Sequence, residues 1–148
     1  MIKLFVSDTN AFVSYFNTVF NVHPILSAKA EDIFNCALSS TSDHIKLSIP
    51  SIVFVEIYAK WFTSEEFATR FYYEVYYPIT NSPNIEIKPI EREVMENLLK
   101  IRGSLSHHEI NDKLILASAM MLNCPLITTD NEIIKYVDNH KVIPSTIN

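Results

Sequence analysis

The stretch KLFVSDTN, residues 3–10, takes an apolar strand directly into a carboxylate. Its first five residues predict a buried strand over Lys3–Ser7, and Asp8, Thr9 and Asn10 follow at the carboxyl end of that strand. Asp is common as the N-cap of a helix that follows a strand. Asp8 alone therefore does not distinguish a cap from a functional site, and the choice depends on where other isolated acids lie.

Four further apolar runs have strand character and are mostly bounded by Pro, Asn or Asp: 45–49, 85–87, 126–128 and 142–143. Helical segments are predicted between them, over residues 11–20, 25–38, 52–62, 65–77, 90–102, 109–122 and 132–137. Strands that alternate with helices form a parallel sheet, because right-handed crossovers return each strand to the same direction. The sequence therefore predicts an α/β fold, a three-layer α/β/α sandwich with a mainly parallel five-stranded sheet, in one domain over residues 1–148.

The composition of the chain excludes several classes of protein. Of the 148 residues, 48% are hydrophobic and 20% are charged, so the chain can bury a substantial core. It has no apolar run long enough for a bilayer and no secretory signal, so we expect a cytoplasmic protein without a membrane partner. The net charge of -5 argues against nucleic-acid binding through a broad basic surface. Gly103 is the only glycine, which excludes Gly-rich phosphate loops and dinucleotide-binding fingerprints.

Three further acids stand out from their surroundings. Asp130 follows LITT, residues 126–129, at the carboxyl end of the predicted fourth strand, where open parallel sheets bind ligands. Glu56 and Lys60 are the only residues from 52 to 62 that are neither apolar nor aromatic, and an isolated buried carboxylate would be costly. Asp112 is in the first turns of a largely apolar helix, which we expect to begin near the carboxyl end of the strand it leads into.

Each acid also has a purely structural interpretation. Asp130, like Asp8, could cap the next helix. Glu56 could pair with Lys60 on a helix surface, and Asp112 could be favoured by the helix dipole. However, carboxylates at one edge repel by about 4 kcal/mol for a pair about 4 Å apart at an effective dielectric of about 20. A hard divalent cation relieves that repulsion, so we interpret Asp8 as a metal ligand. Hydrogen-bonding partners for the ligands are predicted to be Thr9, Asn10, Thr128 and Thr129.

Four pieces of the chain match a known family in order and spacing: FVSDTNAFVSYF (5–16), PSIVFVEIYAKW (50–61), INDKLILASAMMLNCPLITTDNEI (110–133) and KVIP (141–144). They resemble the PIN-domain family, and more closely the VapC-like ribonuclease toxins of toxin–antitoxin pairs. The resemblance implies a single PIN-like nuclease domain over residues 1–148. It also implies a metal-dependent endoribonuclease that hydrolyses RNA phosphodiester bonds with Mg²⁺ or Mn²⁺.

The resemblance assigns catalytic and metal-binding roles to four residues: Asp8, Glu56, Asp112 and Asp130. It implies an RNA substrate, with an antitoxin protein and a second copy of the chain, in a homodimer, as candidate partners. His107 and His108 are candidates for substrate contact, although two solvated loop histidines are the simpler interpretation.

The segment FATRFYYEVYYP, residues 67–78, contains six aromatic residues. Phe67, Phe71 and Val75 follow helical spacing and are predicted to join the core. The four tyrosines cannot all share that face, so we expect some of them in a dimer or antitoxin interface: Tyr72, Tyr73, Tyr76 and Tyr77.

Two other functions stay open. A metal-dependent phosphatase also has an acid after its first strand, but it needs a second acid two residues later, where this chain has Asn10. A non-catalytic PIN-like module that binds RNA or protein would have the same fold, with acids that only cap helices. Stabilisation by Mg²⁺ or Mn²⁺ would distinguish a metal-binding protein from such a module.

Overall fold

The computed structural model describes residues 1–39, 43–105 and 109–148. In these ranges, five strands form one sheet: β1 Lys3–Ser7, β2 Ile45–Pro50, β3 Ile85–Lys88, β4 Leu126–Ile127 and β5 Thr146–Ile147. The α-helices of the same ranges are α1 Thr9–Tyr15, α2 Asn17–Phe20, α3 Ala28–Ser39, α4 Ser51–Trp61, α5 Glu65–Phe71, α6 Tyr77–Thr80, α7 Arg92–Leu98, α8 Ile110–Leu122 and α9 Asn131–His140. A π-helical segment, Tyr72–Tyr76, joins α5 to α6, and a 3₁₀ turn covers Gly103–Leu105.

The sheet is parallel throughout and has the strand order β3-β2-β1-β4-β5. The chain builds outward from β1 to β3 and then returns to the other side of β1 with β4 and β5. The two halves meet where Val6 pairs with Leu126 and Ser7 pairs with Ile127. Where the direction of strand addition reverses in this way, a crevice opens beyond the carboxyl ends of the two strands that meet, β1 and β4. The predicted parallel α/β/α sandwich is confirmed.

The core lies on the strands and on the helices that cover them. Five apolar strand residues are at most 1% exposed: Val6, Leu47, Ile49, Leu126 and Ile127. Strands covered on both faces read as apolar runs, which is why the sequence predicts them. In α8, all residues from 114 to 119 are buried, as expected for a helix that is apolar on every side. This burial fixes the start of α8, and with it Asp112, relative to the sheet.

The aromatic segment divides into a buried face and an exposed one. Phe71 and Val75 are buried and Phe67 packs partly buried against the core, so this prediction is confirmed. The predicted continuous helix is interrupted by the π-helical segment, whose wider turn changes which side chains share a face. Three tyrosines of the aromatic segment are more than half exposed: Tyr72, Tyr73 and Tyr77.

Other element boundaries differ from the predicted ones. The predicted strand at 142–143 is wrong, because α9 extends to His140 and the chain joins the sheet only after Pro144, as β5. Ile143 instead contributes a buried side chain to the core. The predicted helix 11–20 is split at Phe16 into α1 and α2. Within the described ranges, no helix combines the length and apolar character that a membrane crossing requires.

Candidate metal centre in an acidic cleft

A cleft of about 350 Å³ opens beyond the carboxyl ends of β1 and β4. Its described lining consists of Asp8, Thr9, Asn10, Glu56, Lys60, Glu109, Asp112, Asp130 and Glu132. All four acids predicted from the sequence are in this lining, although they come from four separate parts of the chain. The structure therefore brings them together, while their catalytic and metal-binding roles stay predictions.

Asp8 is held at the centre of the fold by its backbone and its side chain. Its N–H donates to the carbonyl of Ile127 at 3.0 Å, which continues the pairing of β1 with β4. Its carboxylate caps α1 by accepting from the N–H of Ala11 at 2.8 Å, and it also accepts a hydrogen bond from the hydroxyl of Thr128. The cap interpretation is therefore correct, but the same side chain also lines the cleft.

The pKa of Asp8 is raised from 3.8 to about 7. Burial is the main cause, since the side chain is only 6% exposed and an ionised carboxylate is poorly solvated there. Hydrogen bonds from Thr128 and Ala11 lower this pKa, and the negative charges of Asp112 and Asp130 raise it. The surroundings of Asp8 in the cleft thus disfavour the ionised form of its carboxyl group.

Glu56 projects into the cleft from α4, which begins directly after β2. The residue is 5% exposed, and the hydroxyl of Thr9 donates to its Oε1 at 2.7 Å. The ammonium of Lys60 lies 3.4 Å from its Oε2. The predicted ion pair is therefore present, but it joins a buried carboxylate to a lysine that is largely in solvent.

Asp130 and Asp112 approach from the starts of two helices. Asp130 caps α9, because its Oδ1 accepts from the N–H of Glu132 at 2.9 Å and from that of Ile133 at 3.3 Å. Its own N–H donates to the hydroxyl oxygen of Thr128 at 3.1 Å. Thr128 thus links Asp130 to Asp8. Asp112 lies half-buried in the first turn of α8, where the helix dipole favours an acid.

The predicted hydrogen-bonding residues have different positions. Thr9 and Thr128 are buried and hold Glu56 and Asp8, as described above. Asn10 is exposed at the edge of the cleft, whereas Thr129 is half-buried and is not in the described lining. His107 and His108 lie outside the described residues.

Three lining residues were not predicted as site residues: Lys60, Glu109 and Glu132. The sequence predicts Lys60 only as an ion-pair partner of Glu56. Glu109 immediately precedes α8, and Glu132 is in the first turn of α9. A usable signal existed for both glutamates, because these helices begin at the same edge of the sheet as Asp112 and Asp130.

The chemistry of the lining fits a hard divalent cation. Carboxylates with water are the ligands that Mg²⁺ takes in proteins, and a cation would favour the ionised form of Asp8, whose pKa is raised by burial and, to a smaller extent, by the charges of Asp112 and Asp130. In residues 1–39, 43–105 and 109–148, however, no group of three or more His, Cys, Asp or Glu side chains is already arranged to hold a metal ion. Asp8 and Asp130 instead cap helices, and Glu56 pairs with Lys60. Metal binding therefore requires some of these side chains to turn toward a common point.

Comparison with known proteins identifies the fold. The sequence model for the PIN domain matches residues 5–139. This chain belongs to the PIN domain family. The match includes the end of β1 and all of α4, α8 and α9 up to residue 139, so the described lining of the acidic cleft lies within the PIN domain. No curated protein matches the chain.

Several solved structures are similar to this PIN domain over nearly its full length. VapBC2 from Rickettsia felis, bound to a DNA fragment from their promoter, has a TM-score of 0.64 at 18% identity, covering 97% of this chain and 96% of that chain. FitAcB from Neisseria gonorrhoeae has a TM-score of 0.62 at 16% identity, with coverage of 97% and 96%. A toxin-antitoxin complex from Klebsiella pneumoniae has a TM-score of 0.52 at 18% identity, with coverage of 99% and 96%. Identities this low establish a shared fold only.

Proposed function

We propose that this PIN domain is a metal-dependent endoribonuclease that hydrolyses RNA phosphodiester bonds with Mg²⁺ or Mn²⁺. The proposal rests on one observation: Asp8, Glu56, Asp112 and Asp130 line a single cleft at the carboxyl edge of a parallel sheet. Membership of the PIN domain family supports it. The negatively charged lining would repel the phosphates of RNA unless bound cations neutralised it.

The four carboxylates would hold the cation. When bound, a divalent cation lowers the pKa of a coordinated water and neutralises charge on the phosphate oxygens. The chain's own contribution is to fix its carboxylates. The hydroxyl of Thr128 holds Asp8, and the hydroxyl of Thr9 holds Glu56 at 2.7 Å. Such hydrogen bonds orient ligands and are expected to limit how far each carboxylate can turn.

We also propose that the enzyme is the toxin of a toxin–antitoxin pair, with an antitoxin protein as its partner. Two observations support this part: a structural neighbour is a toxin-antitoxin complex, and Tyr72, Tyr73 and Tyr77 are exposed together near the π-helical segment. Exposed tyrosines are enriched at protein interfaces. Tyr76 is half-buried, because its ring packs edge-on against Phe54 at 5.8 Å and stacks on that of Tyr72 at 6.1 Å. The homodimer stays a prediction from the resemblance.

The direct test is incubation of total cellular RNA with the protein and Mg²⁺ or Mn²⁺, followed by mapping of the new RNA ends. We expect metal-dependent internal cleavage that EDTA abolishes and that Asp8→Asn lacks. Asp138→Asn is a matched control, because Asp138 is an exposed acid on α9 outside the cleft. Retention of cleavage by Asp8→Asn would contradict the proposal.

The same experiment separates the rival functions. A non-catalytic module would produce no new ends at any metal concentration. A phosphatase would release terminal phosphate without internal cleavage. The position two residues after Asp8 is Asn10, which is exposed at the cleft and has no acidic proton to donate, so the structure gives the phosphatase no additional support.

A further inference from the structure

Lys60 is the only basic residue in the described lining of the acidic cleft. Its side chain is 54% exposed, and its ammonium lies 3.4 Å from Oε2 of Glu56. The other charged lining residues are acids: Asp8, Glu56, Glu109, Asp112, Asp130 and Glu132. In the part of the cleft that the structure describes, a polyanion that reaches the carboxylates therefore meets one basic side chain, that of Lys60.

The Lys60–Glu56 pair differs from an ordinary ion pair on a helix surface. Arg70 and Glu74 have the same i,i+4 spacing, but they are 44% and 49% exposed and their closest atoms are 2.7 Å apart. Such pairs lie on a solvated helix face and contribute little to stability. Lys60 instead reaches from solvent toward a carboxylate that is 5% exposed and already accepts a hydrogen bond from Thr9.

The geometry also makes the Lys60 contact easy to exchange. A nitrogen–oxygen separation of 3.4 Å exceeds the roughly 2.7–2.9 Å of a strong charge-assisted hydrogen bond. The lysine stem has four flexible carbons, and its ammonium donates in three directions. Four residues along α4 also place Lys60 about 6 Å farther along the helix axis than Glu56. The exposed ammonium can therefore leave Glu56 without any change in the helix.

We propose that Lys60 is a substrate-binding residue that contacts a phosphate group of the RNA strand at the rim of the cleft. The contact forms when Glu56 turns to a divalent cation and gives up the ammonium. This inference rests on the proposed nuclease function and adds the residue that offsets repulsion between the RNA and the acidic lining. Lys60 acts on the position of the RNA and takes no part in the hydrolysis itself.

The test compares Lys60→Met, Lys60→Arg and Lys29→Met in cleavage of a short single-stranded RNA with Mn²⁺. Lys29 is an exposed lysine on α3 in a pocket with the start of β1, at the opposite edge of the sheet, so it controls for loss of one positive charge. KM and kcat are measured at several salt concentrations. Mn²⁺ affinity is measured by calorimetry without RNA, which gives a readout independent of activity.

Lys60→Met is expected to raise KM about tenfold with little change in kcat, because one charged hydrogen bond to substrate is lost. The dependence of log KM on log salt should weaken by about 0.7, the value for one phosphate contact on a single strand. Mn²⁺ affinity should stay equal or increase, since the ammonium no longer competes for Glu56. Lys60→Arg should restore KM, and Lys29→Met should resemble the wild type.

Two results would overturn the inference while the nuclease function stands. One is a Lys60→Met variant whose KM and salt dependence equal those of Lys29→Met in an active enzyme. The other is a loss of Mn²⁺ affinity and thermal stability in Lys60→Met, which would show a structural role for the ion pair. Absence of metal-dependent cleavage by the wild type would instead refute the proposed function, and the Lys60 inference with it.

Discussion

Replacement of Asp8 by Asn is expected to stabilise the metal-free protein, and to do so much more at pH 8 than at pH 5. The pKa of Asp8 is raised from 3.8 to about 7, so the folded state retains a proton that the unfolded state has lost between these pH values. Stability from this group is therefore greatest at low pH and falls as pH rises from about 4 to about 7. Asn has no charge and keeps an oxygen that can accept the capping hydrogen bond from Ala11.

The magnitude follows from the size of the pKa change. A tenfold change in proton affinity corresponds to about 1.4 kcal/mol, so raising the pKa from 3.8 to about 7 costs about 4 kcal/mol once Asp8 is ionised in both states. At pH 5 the folded state is still protonated at Asp8, and the cost is only about 1.5 kcal/mol. The advantage of Asn should therefore grow by about 2.5 kcal/mol between the two pH values. For a domain of this size, this difference in free energy corresponds to a shift of roughly 5–10 °C in Tm.

The assay is urea and thermal unfolding in EDTA at pH 5 and pH 8. The wild type, Asp8→Asn and Asp138→Asn are compared, and only the difference between each variant and the wild type is used, because other acids also titrate. Asp138 is exposed, so its replacement should have nearly the same small effect at both pH values. The reasoning is refuted if Asp8→Asn destabilises the protein at both pH values, or if its advantage does not increase at pH 8.

Three further outcomes are expected. Mn²⁺ at about 100 times its Kd should stabilise the wild type by about 2.7 kcal/mol in thermal scans, and Asp8→Asn should lose most of this gain; equal gains would argue against Asp8 as a ligand. Thr128→Val should lower the free energy of unfolding in urea by about 1–2 kcal/mol, because Thr128 links Asp8 to Asp130 and a buried partner is left unsatisfied; an unchanged midpoint would show that this link is unimportant. Combined Tyr73→Ser and Tyr77→Ser should change the free energy of unfolding by less than about 0.5 kcal/mol, since both residues are exposed. The same double change should weaken association with a co-expressed antitoxin, as measured by sedimentation. Unaltered association would exclude this surface as the interface.

Much of the fold could be predicted because β1, β2 and β4 contribute buried, apolar residues, and β3 has Ile85 and Ile87 partly buried against the core. The exception is β5, where Thr146 and Ile147 are half-buried and too few to produce a pattern. Val142 and Ile143 have stronger strand character, but they follow the left-handed residue Lys141, whose φ of 52° ends α9. Tertiary context therefore decides where the chain joins the sheet.

The site was predictable in part for a different reason. Strand ends and helix starts place Asp8, Asp112 and Asp130 at one edge in any fold of this topology, and the apolar surroundings of Glu56 single it out. The sequence could not separate helix caps from cleft residues, because Asp8 and Asp130 each cap a helix and also line the cleft. Hydrogen bonds between distant residues, such as that from Thr9 to Glu56, depend on packing that no local pattern encodes.

Diffraction from crystals grown with Mn²⁺ tests most directly whether the four carboxylates share a cation. We predict an anomalous manganese peak in the acidic cleft, with carboxylate oxygens of Asp8 and at least two of Glu56, Asp112 and Asp130 in its coordination sphere or one water away. Glu56 should then have released the ammonium of Lys60. A crystal that binds manganese only outside the cleft, or shows no peak there at saturating Mn²⁺, would contradict the account.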